Sequence, residues 1–267
     1  MAGCCWWCGT IDSVTPPVVL TIAAHDPLGG AGIAADLTTF AALGVHGMVA
    51  VTAVTAQRFG SVDQVVATSP ELLAAQLDGI IASSDIDGLK VGLLFDPAQV
   101  AVVAERVADG RLPSPVVDPV MVDGRGNRFV TADIEAAARE LLFPQTAVLT
   151  PNRAEAALLG GSPAALARLG ADLVVVTGGA AGATDLLVWA DGTAAELPGE
   201  WVETAHVRGS GCTFAAALAA LLADAKPLAT AAAGAKAFVA ARLRDSAAWT
   251  VGMPDSIGPV SHRFSSN

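Results

Sequence analysis

"VVLTIAAHDPLGGAGIAADLTTFAALG", Val18 to Gly44, runs from an unbroken apolar segment through a glycine-rich turn into a stretch with helical spacing of Ala, Leu and Phe. A run this apolar has no solvent face, which is the signature of a strand covered by helices on both sides. The unit predicted is therefore strand, tight loop, helix, and it recurs down the chain. Further strands are predicted at Val45–Gln57, Gly88–Leu94, Pro115–Pro119, Ala147–Asn152 and Asp172–Gly179. The helical stretches between them begin at Ser69-Pro70, Asp96-Pro97 and Thr131, residues that helix starts prefer. Repeated units of this kind build an α/β fold around a mostly parallel sheet. Beyond Gly179 the pattern changes: Asp191-Gly192 lies between alternating runs and predicts an antiparallel hairpin. Two helices, Thr213–Asp224 and Leu228–Arg244, close the chain, with Pro227 opening the second.

At 267 residues one large α/β domain is expected, from about Val14 to the end. Hydrophobic residues form 53% of the chain and charged residues 15%, enough apolar surface to build a core and too few charges for a disordered chain. A net charge of −11 repels polyanions, so nucleic acid and anionic membrane are not expected partners. No uncharged apolar run reaches the roughly 18 to 20 residues of a membrane span. A cytoplasmic protein is the expectation. Residues 1–13, with Cys4, Cys5 and Cys8, read as a disordered leader; the Cys5–Cys8 spacing lacks the second Cys/His pair that a zinc site needs.

Gly30, Gly32 and Ala35 fit a dinucleotide-binding fingerprint after a strand. That reading requires an acidic residue at the end of the next strand, and the next strand ends in Gln57. The glycines instead allow the backbone to approach a flat ligand. Asp36, early in the following helix, is placed either to cap it or to hold a polar ligand group. Gln57 stands at a carboxyl strand end, where ligands of open α/β sheets bind, and its amide offers an acceptor beside donors, matching an aminopyrimidine edge. Asn152 and Glu155, three apart after a strand, are suited to a hydrated Mg²⁺ and a phosphate oxygen, or to a plain helix start. Asp118, held extended by Pro119, is a second carboxylate able to reach the metal or its waters.

"HVRGSGCTFAAALAALLA", His206 to Ala223, places Gly209, Ser210 and Gly211 before Cys212 and a helix. Free N–H groups at such a turn, with the positive end of the helix dipole behind them, form an anion hole for a phosphate. A thiol in that field is expected to have a lowered pKa and to accept a proton from a hydroxyl. No Walker motif, nucleophile elbow or His-Glu-x-x-His is present.

Taken in order, "DPLGGAGIAADLTTFAALG", "TAVTAQ", "GLKVGLL", "VVDPVM", "LTPNRAEA", "GSGCTFAAALAA" and "IGPV" resemble the hydroxymethylpyrimidine/phosphomethylpyrimidine kinases of thiamine biosynthesis, from about Val18 to His262. The resemblance implies a ribokinase-like three-layer α/β/α sandwich with a mostly parallel central sheet, and ATP and Mg²⁺ as co-substrate and cofactor. It implies phosphorylation of a small pyrimidine alcohol and then of its monophosphate, by a homodimer. By the same resemblance Asp36, Gln57, Gly30, Leu93 and Val120 hold the pyrimidine, and Gly209, Ser210, Gly211 and Cys212 form the catalytic turn, with Cys212 as base. Asp118, Asn152, Thr177, Gly179 and Arg208 lie with the nucleotide, and Glu155 and Asp118 with the metal. Departures from the family pattern are His25 before Asp26, Leu28, Ala34, Thr177 in place of a lysine, and Arg208 in place of a histidine. Arg208 is expected to restore the cation that Thr177 removes. Pyridoxal kinase, and a non-catalytic vitamer-binding protein, are the alternatives.

Overall fold

The structure, a computed structural model, describes residues 15–122, 128–178, 183–249 and 258–261. The expectations for the leader and for Gly179 lie outside the described residues. Among the described residues nine strands form one sheet: β1 (Val18–His25), β2 (His46–Arg58), β3 (Ser61–Ala67), β4 (Gly88–Val91), β5 (Val116–Val117), β6 (Val148–Leu149), β7 (Leu173–Val176), β8 (Asp185–Trp189) and β9 (Ala194–Leu197). Their spatial order is β3-β2-β1-β4-β5-β6-β7-β8-β9. The strands from β2 to β7 are parallel. Antiparallel strands finish both margins.

Alternate residues along each strand feed two separate cores. Leu20, Ile22, Leu89, Val91, Val117, Leu149 and Val174 pack beneath helices α2 (Pro70–Ile81) and α3 (Pro97–Ala108), with Leu73, Leu77, Val100 and Val103 in the same cluster. Val19, Val116, Val148, Leu173 and Val175 face the other way, against Phe40 of α1 (Gly32–Ala42) and the alanine-rich α7 (Ser210–Ala223) and α8 (Leu228–Ser246). The result is three layers, helix on sheet on helix, as the apolar runs predict. Smaller helices complete the chain: α4 (Ala132–Ala137), which passes into a π-helical turn at Ala138–Leu142, then α5 (Arg153–Leu158) and α6 (Pro163–Ala167).

The predicted hairpin is β8–β9, turning at Asp191-Gly192. Two differences bear on the site. β3 is an antiparallel edge strand that the parallel reading does not contain; it pairs back on β2 after a turn at Phe59-Gly60. β5 and β6 are each two residues long, because Pro119 and Pro151 follow closely and lack the N–H that pairing needs. The residues after them therefore leave the sheet and line a crevice. Strand order reverses direction between β1 and β4, the switch point beyond which open α/β sheets bind ligands.

Candidate active site

A cavity of about 600 Å³ opens at the carboxyl ends of the parallel strands. Its wall is drawn from the ends of β1 (His25, Asp26), β2 (Thr55, Gln57), β4 (Lys90, Leu93), β5 (Asp118, Val120), β6 (Asn152) and β7 (Thr177), with Gly209–Cys212 at the mouth of α7. Gln57, Leu93, Val120, Asp118, Asn152, Glu155, Thr177, Arg208, Gly209, Ser210, Gly211 and Cys212 thus line one cavity. Val120 holds a φ of 38°, in the left-handed region that a β-branched side chain avoids. Strain of this kind persists only where surrounding structure imposes it, and it falls here on the cavity wall.

Gly209 caps α7 with φ 82° and no side-chain cap. A Cβ there would collide with the backbone oxygen of Gly30, so the turn can approach the β1 loop only as glycine. Within the turn Ser210 N–H donates to Val207 O (3.2 Å) and Thr213 N–H to Gly209 O (2.8 Å). Among the described residues the amides of Gly209, Gly211 and Cys212 have no backbone partner outside the helix, so Ser210 alone of the four is committed within the turn. Gly211 and Cys212 are the two of these that belong to α7.

The thiol behaves contrary to expectation. Burial pushes Cys212 up to about 12, Asp118 and Asp36 add to the rise, and Lys90 and a hydrogen bond from Gly32 N–H oppose it. A helix dipole acts only near its end and is outweighed by desolvation with two carboxylates close by. Asp118 is itself raised by burial and by Asp36, while Lys90 and the hydrogen bond with Cys212 pull it down.

Lys90 is the residue that the motifs do not single out. It is fully buried, with Nζ 2.9 Å from Asp36 Oδ2. Thr21 Oγ1 donates to the same oxygen at 2.6 Å. Burial works to discharge the ammonium, and Asp36, Cys212 and Asp118 together outweigh it, so Lys90 stays charged. Its signal in the sequence is a lysine inside a strand otherwise apolar on both faces, GLKVGLL.

This pairing corrects the expectation for Asp36. The carboxylate has no exposed surface, does not line the cavity and is occupied by Lys90 and Thr21 below the floor. Gly30 is also behind the wall, packed toward Pro259 and Arg208. Arg208 is displaced from its expected place among nucleotide contacts: Nη2 reaches Asp26 Oδ2 (3.0 Å) and Gln57 Oε1 (2.9 Å) at the opposite end of the cavity. Asp26, which carries both of these groups, is a second residue the sequence reading leaves unassigned.

Asn152 and Glu155 form a reciprocal cap on α5. Asn152 Oδ1 accepts from the N–H groups of Ala154 and Glu155, and Glu155 Oε2 accepts from Asn152 N–H at 2.9 Å. Glu155 Oε1 accepts from Met121 N–H at 2.8 Å. Both oxygens thus hold backbone hydrogens, which argues against Glu155 as a direct metal ligand. Burial and the neighbouring Asp118 lift it to about 7.

The geometry has counterparts among known proteins. The phosphomethylpyrimidine kinase family model matches residues 26–261. A hydroxymethylpyrimidine/phosphomethylpyrimidine kinase of Rhizobium meliloti is 40% identical over 260 residues, covering 92% of this chain and 96% of its own. One from Synechococcus elongatus is 41% identical over 262 residues, covering 93% and 98%. The solved structure of Bacillus subtilis pyridoxal kinase, an ADP complex, superposes with a TM-score of 0.84 at 32% identity, covering 93% of this chain and 98% of that one. A match of this extent, through every strand end that builds the cavity, shows that the chain belongs to the phosphomethylpyrimidine kinase family.

Proposed function

We propose that the protein transfers the γ-phosphoryl group of ATP to the hydroxymethyl group of 4-amino-5-hydroxymethyl-2-methylpyrimidine, and then to the resulting monophosphate. The observation that carries this reading is the convergence of the Gly211 and Cys212 amides, the Cys212 sulfur and Asp118 at the middle of one cavity. On one side lie Asp26, Gln57, Leu93 and Val120, the acceptor end; on the other lie Asn152 and Thr177, the nucleotide end. The migrating group is gathered by the two amides, whose donors are fixed before it arrives. As the hydroxyl oxygen forms its new bond to phosphorus and becomes acidic, the neutral Cys212 thiol passes its own proton to the Asp118 carboxylate, to which it is hydrogen-bonded, and Sγ takes the hydroxyl proton in its place. Positioning and charge neutralisation carry most of such a transfer. The second transfer begins from an ionised phosphate and needs Sγ less.

Mg²⁺ fits the donors present. Asp118 and Glu155 are buried carboxylates, and the charge of Asp118 adds to the cost of ionising Glu155, a repulsion that a divalent cation removes. Among the described residues no group of three or more His, Cys, Asp or Glu forms a cage. Asp118 and Glu155 would hold such an ion together with water and phosphate oxygens. It would supply charge neutralisation at the phosphates.

The likeness to pyridoxal kinase supports a second reading, phosphorylation of a pyridine alcohol on the same floor. Coupled ADP release separates the two: hydroxymethylpyrimidine and its phosphate are expected to drive Mg²⁺-dependent ADP formation well above pyridoxal, and the reverse order would overturn the choice. No ADP with any acceptor would leave a vitamer-binding protein. The reading extends to one domain over residues 14–267, which the single sheet supports, and to a cytosolic location, which the Cys212 thiol, free among the described residues, supports. Among the described residues no helix is long and apolar enough to cross a membrane. A homodimer is supported by edge strand β3 and the adjacent end of β2, where Val54, Val62, Val65 and Val66 are exposed.

A further inference from the structure

Gln57 reaches the acceptor end of the cavity with its amide already engaged. Nε2 lies 2.7 Å from Asp26 Oδ1 and 3.1 Å from Thr55 Oγ1, and Oε1 lies 2.9 Å from Arg208 Nη2. The two ends of a primary amide have nearly the same shape, so its orientation follows from its partners. Here the partners leave one orientation. A guanidinium has hydrogens to give and no lone pair to offer. Asp26 accepts at both oxygens: Oδ1 from Leu28 N–H at 2.9 Å, Oδ2 from Arg208 at 3.0 Å. Thr55 spends its hydroxyl hydrogen on the His25 carbonyl at 2.8 Å, so it too accepts from Gln57. Both amide hydrogens of Gln57 are consequently committed inside the protein. What it retains for a ligand is a lone pair on Oε1.

We propose that Arg208 and Asp26 act as a polarity lock on Gln57, so that the acceptor end selects a ring carrying an N–H donor, such as an exocyclic amine, over one presenting an oxygen acceptor in the same place. The inference rests on the reading of this end as the acceptor site and narrows its substrate class. An aminopyrimidine supplies the required hydrogen. In pyridoxal the group beside the hydroxymethyl is the 4-formyl, whose oxygen has no hydrogen to give and meets a lone pair with a lone pair. Arg208 and Asp26 are positioning residues in this scheme, acting through the orientation of Gln57. The lock spans three elements, since Asp26 follows β1, Gln57 ends β2 and Arg208 precedes the α7 turn.

The test compares binding of 4-amino-5-hydroxymethyl-2-methylpyrimidine with its 4-methoxy analogue, which keeps the ring and the alcohol and removes the N–H, while ADP release is followed in parallel. The wild-type protein is expected to bind the amine about 10- to 100-fold more tightly. Asp26→Asn gives position 26 hydrogens as well as a lone pair and lets Gln57 turn; Arg208→Gln does the same from the other side. Either is expected to compress the ratio to about threefold or less, with the change in KM and not in kcat. Equal affinities in the wild type overturn the lock even if neither variant folds. A full ratio kept in a folded variant overturns it as well. Preference for the amine without any ADP release supports the lock and sinks the kinase reading, so the two fail separately.

Discussion

Lys90 decides more of the site's charge than any residue the motifs single out. It lies under Asp118 and Cys212 and neutralises Asp36 at 2.9 Å, with no surface of its own. Replacing one partner of a buried pair strands the other, so Lys90→Met is expected to cost about 3–5 kcal/mol in urea unfolding. Adding Asp36→Leu to it should restore most of that loss. A double variant no more stable than the single would contradict the pairing. Cys212 provides a second test at this scale. With its thiol pushed up to about 12, the ligand-free protein is expected to alkylate Cys212 on the order of a thousandfold more slowly than a free thiol at pH 7.5. The neutral thiol prevails below that value, so the rate should rise with pH with no plateau near 8 or 9. Peptide-resolved mass spectrometry separates it from Cys4, Cys5 and Cys8. The place of Cys212 was legible in Gly-Ser-Gly-Cys, and its protonation was not, because three of the charges that set it come from α1, β4 and the end of β5. Asp36 was misplaced for the same reason: a carboxylate in the first turns of a helix reads alike whether it faces a ligand or a lysine beneath it.

Among the elements, α7 and its left-handed cap are the most constrained. Gly209→Ala puts a methyl against the Gly30 carbonyl, and the turn must shift the Gly211 and Cys212 amides to relieve it. The substitution is expected to cost about 1–3 kcal/mol and to lower kcat more than tenfold. Gly192→Ala is the comparison: φ is 85° in the β8–β9 turn, yet nothing lies within 4 Å of the added Cβ. It should show strain in its melting temperature and unchanged turnover; equal loss of turnover in both would remove the case for the α7 turn. The parallel strands were legible because burial on both faces leaves runs such as LVVV of β7 with no polar position. β3 was missed although Phe59-Gly60 separates two strand-like runs, since its exposed, charge-bearing sequence carries no core signal. β5 and β6 came out shorter than their apolar runs, as Pro119 and Pro151 imply.

For the molecule as a whole, the strand order could not be read from periodicity. The reversal between β1 and β4 depends on which side each crossover takes, and it is this reversal that places the ends of β1, β2, β4, β5, β6 and β7 around one cavity. The seven motifs nonetheless identified the family in advance, since they mark those strand ends. The exposed valines of β2 and β3 make their own prediction. Light scattering should give twice 26.8 kDa, and Val66→Lys, at a position 59% exposed, should return the monomer. A monomeric wild type at tens of micromolar would exclude the dimer. The proposed gathering of the moving phosphoryl group by two α7 amides, with the sulfur beside them receiving the alcohol's proton, stands or falls on ADP release from Cys212→Ala with each acceptor in turn. With the hydroxymethyl substrate the rate is expected to fall about 10²- to 10⁴-fold, and with the phosphomethyl substrate far less; undiminished turnover of the alcohol would contradict the account.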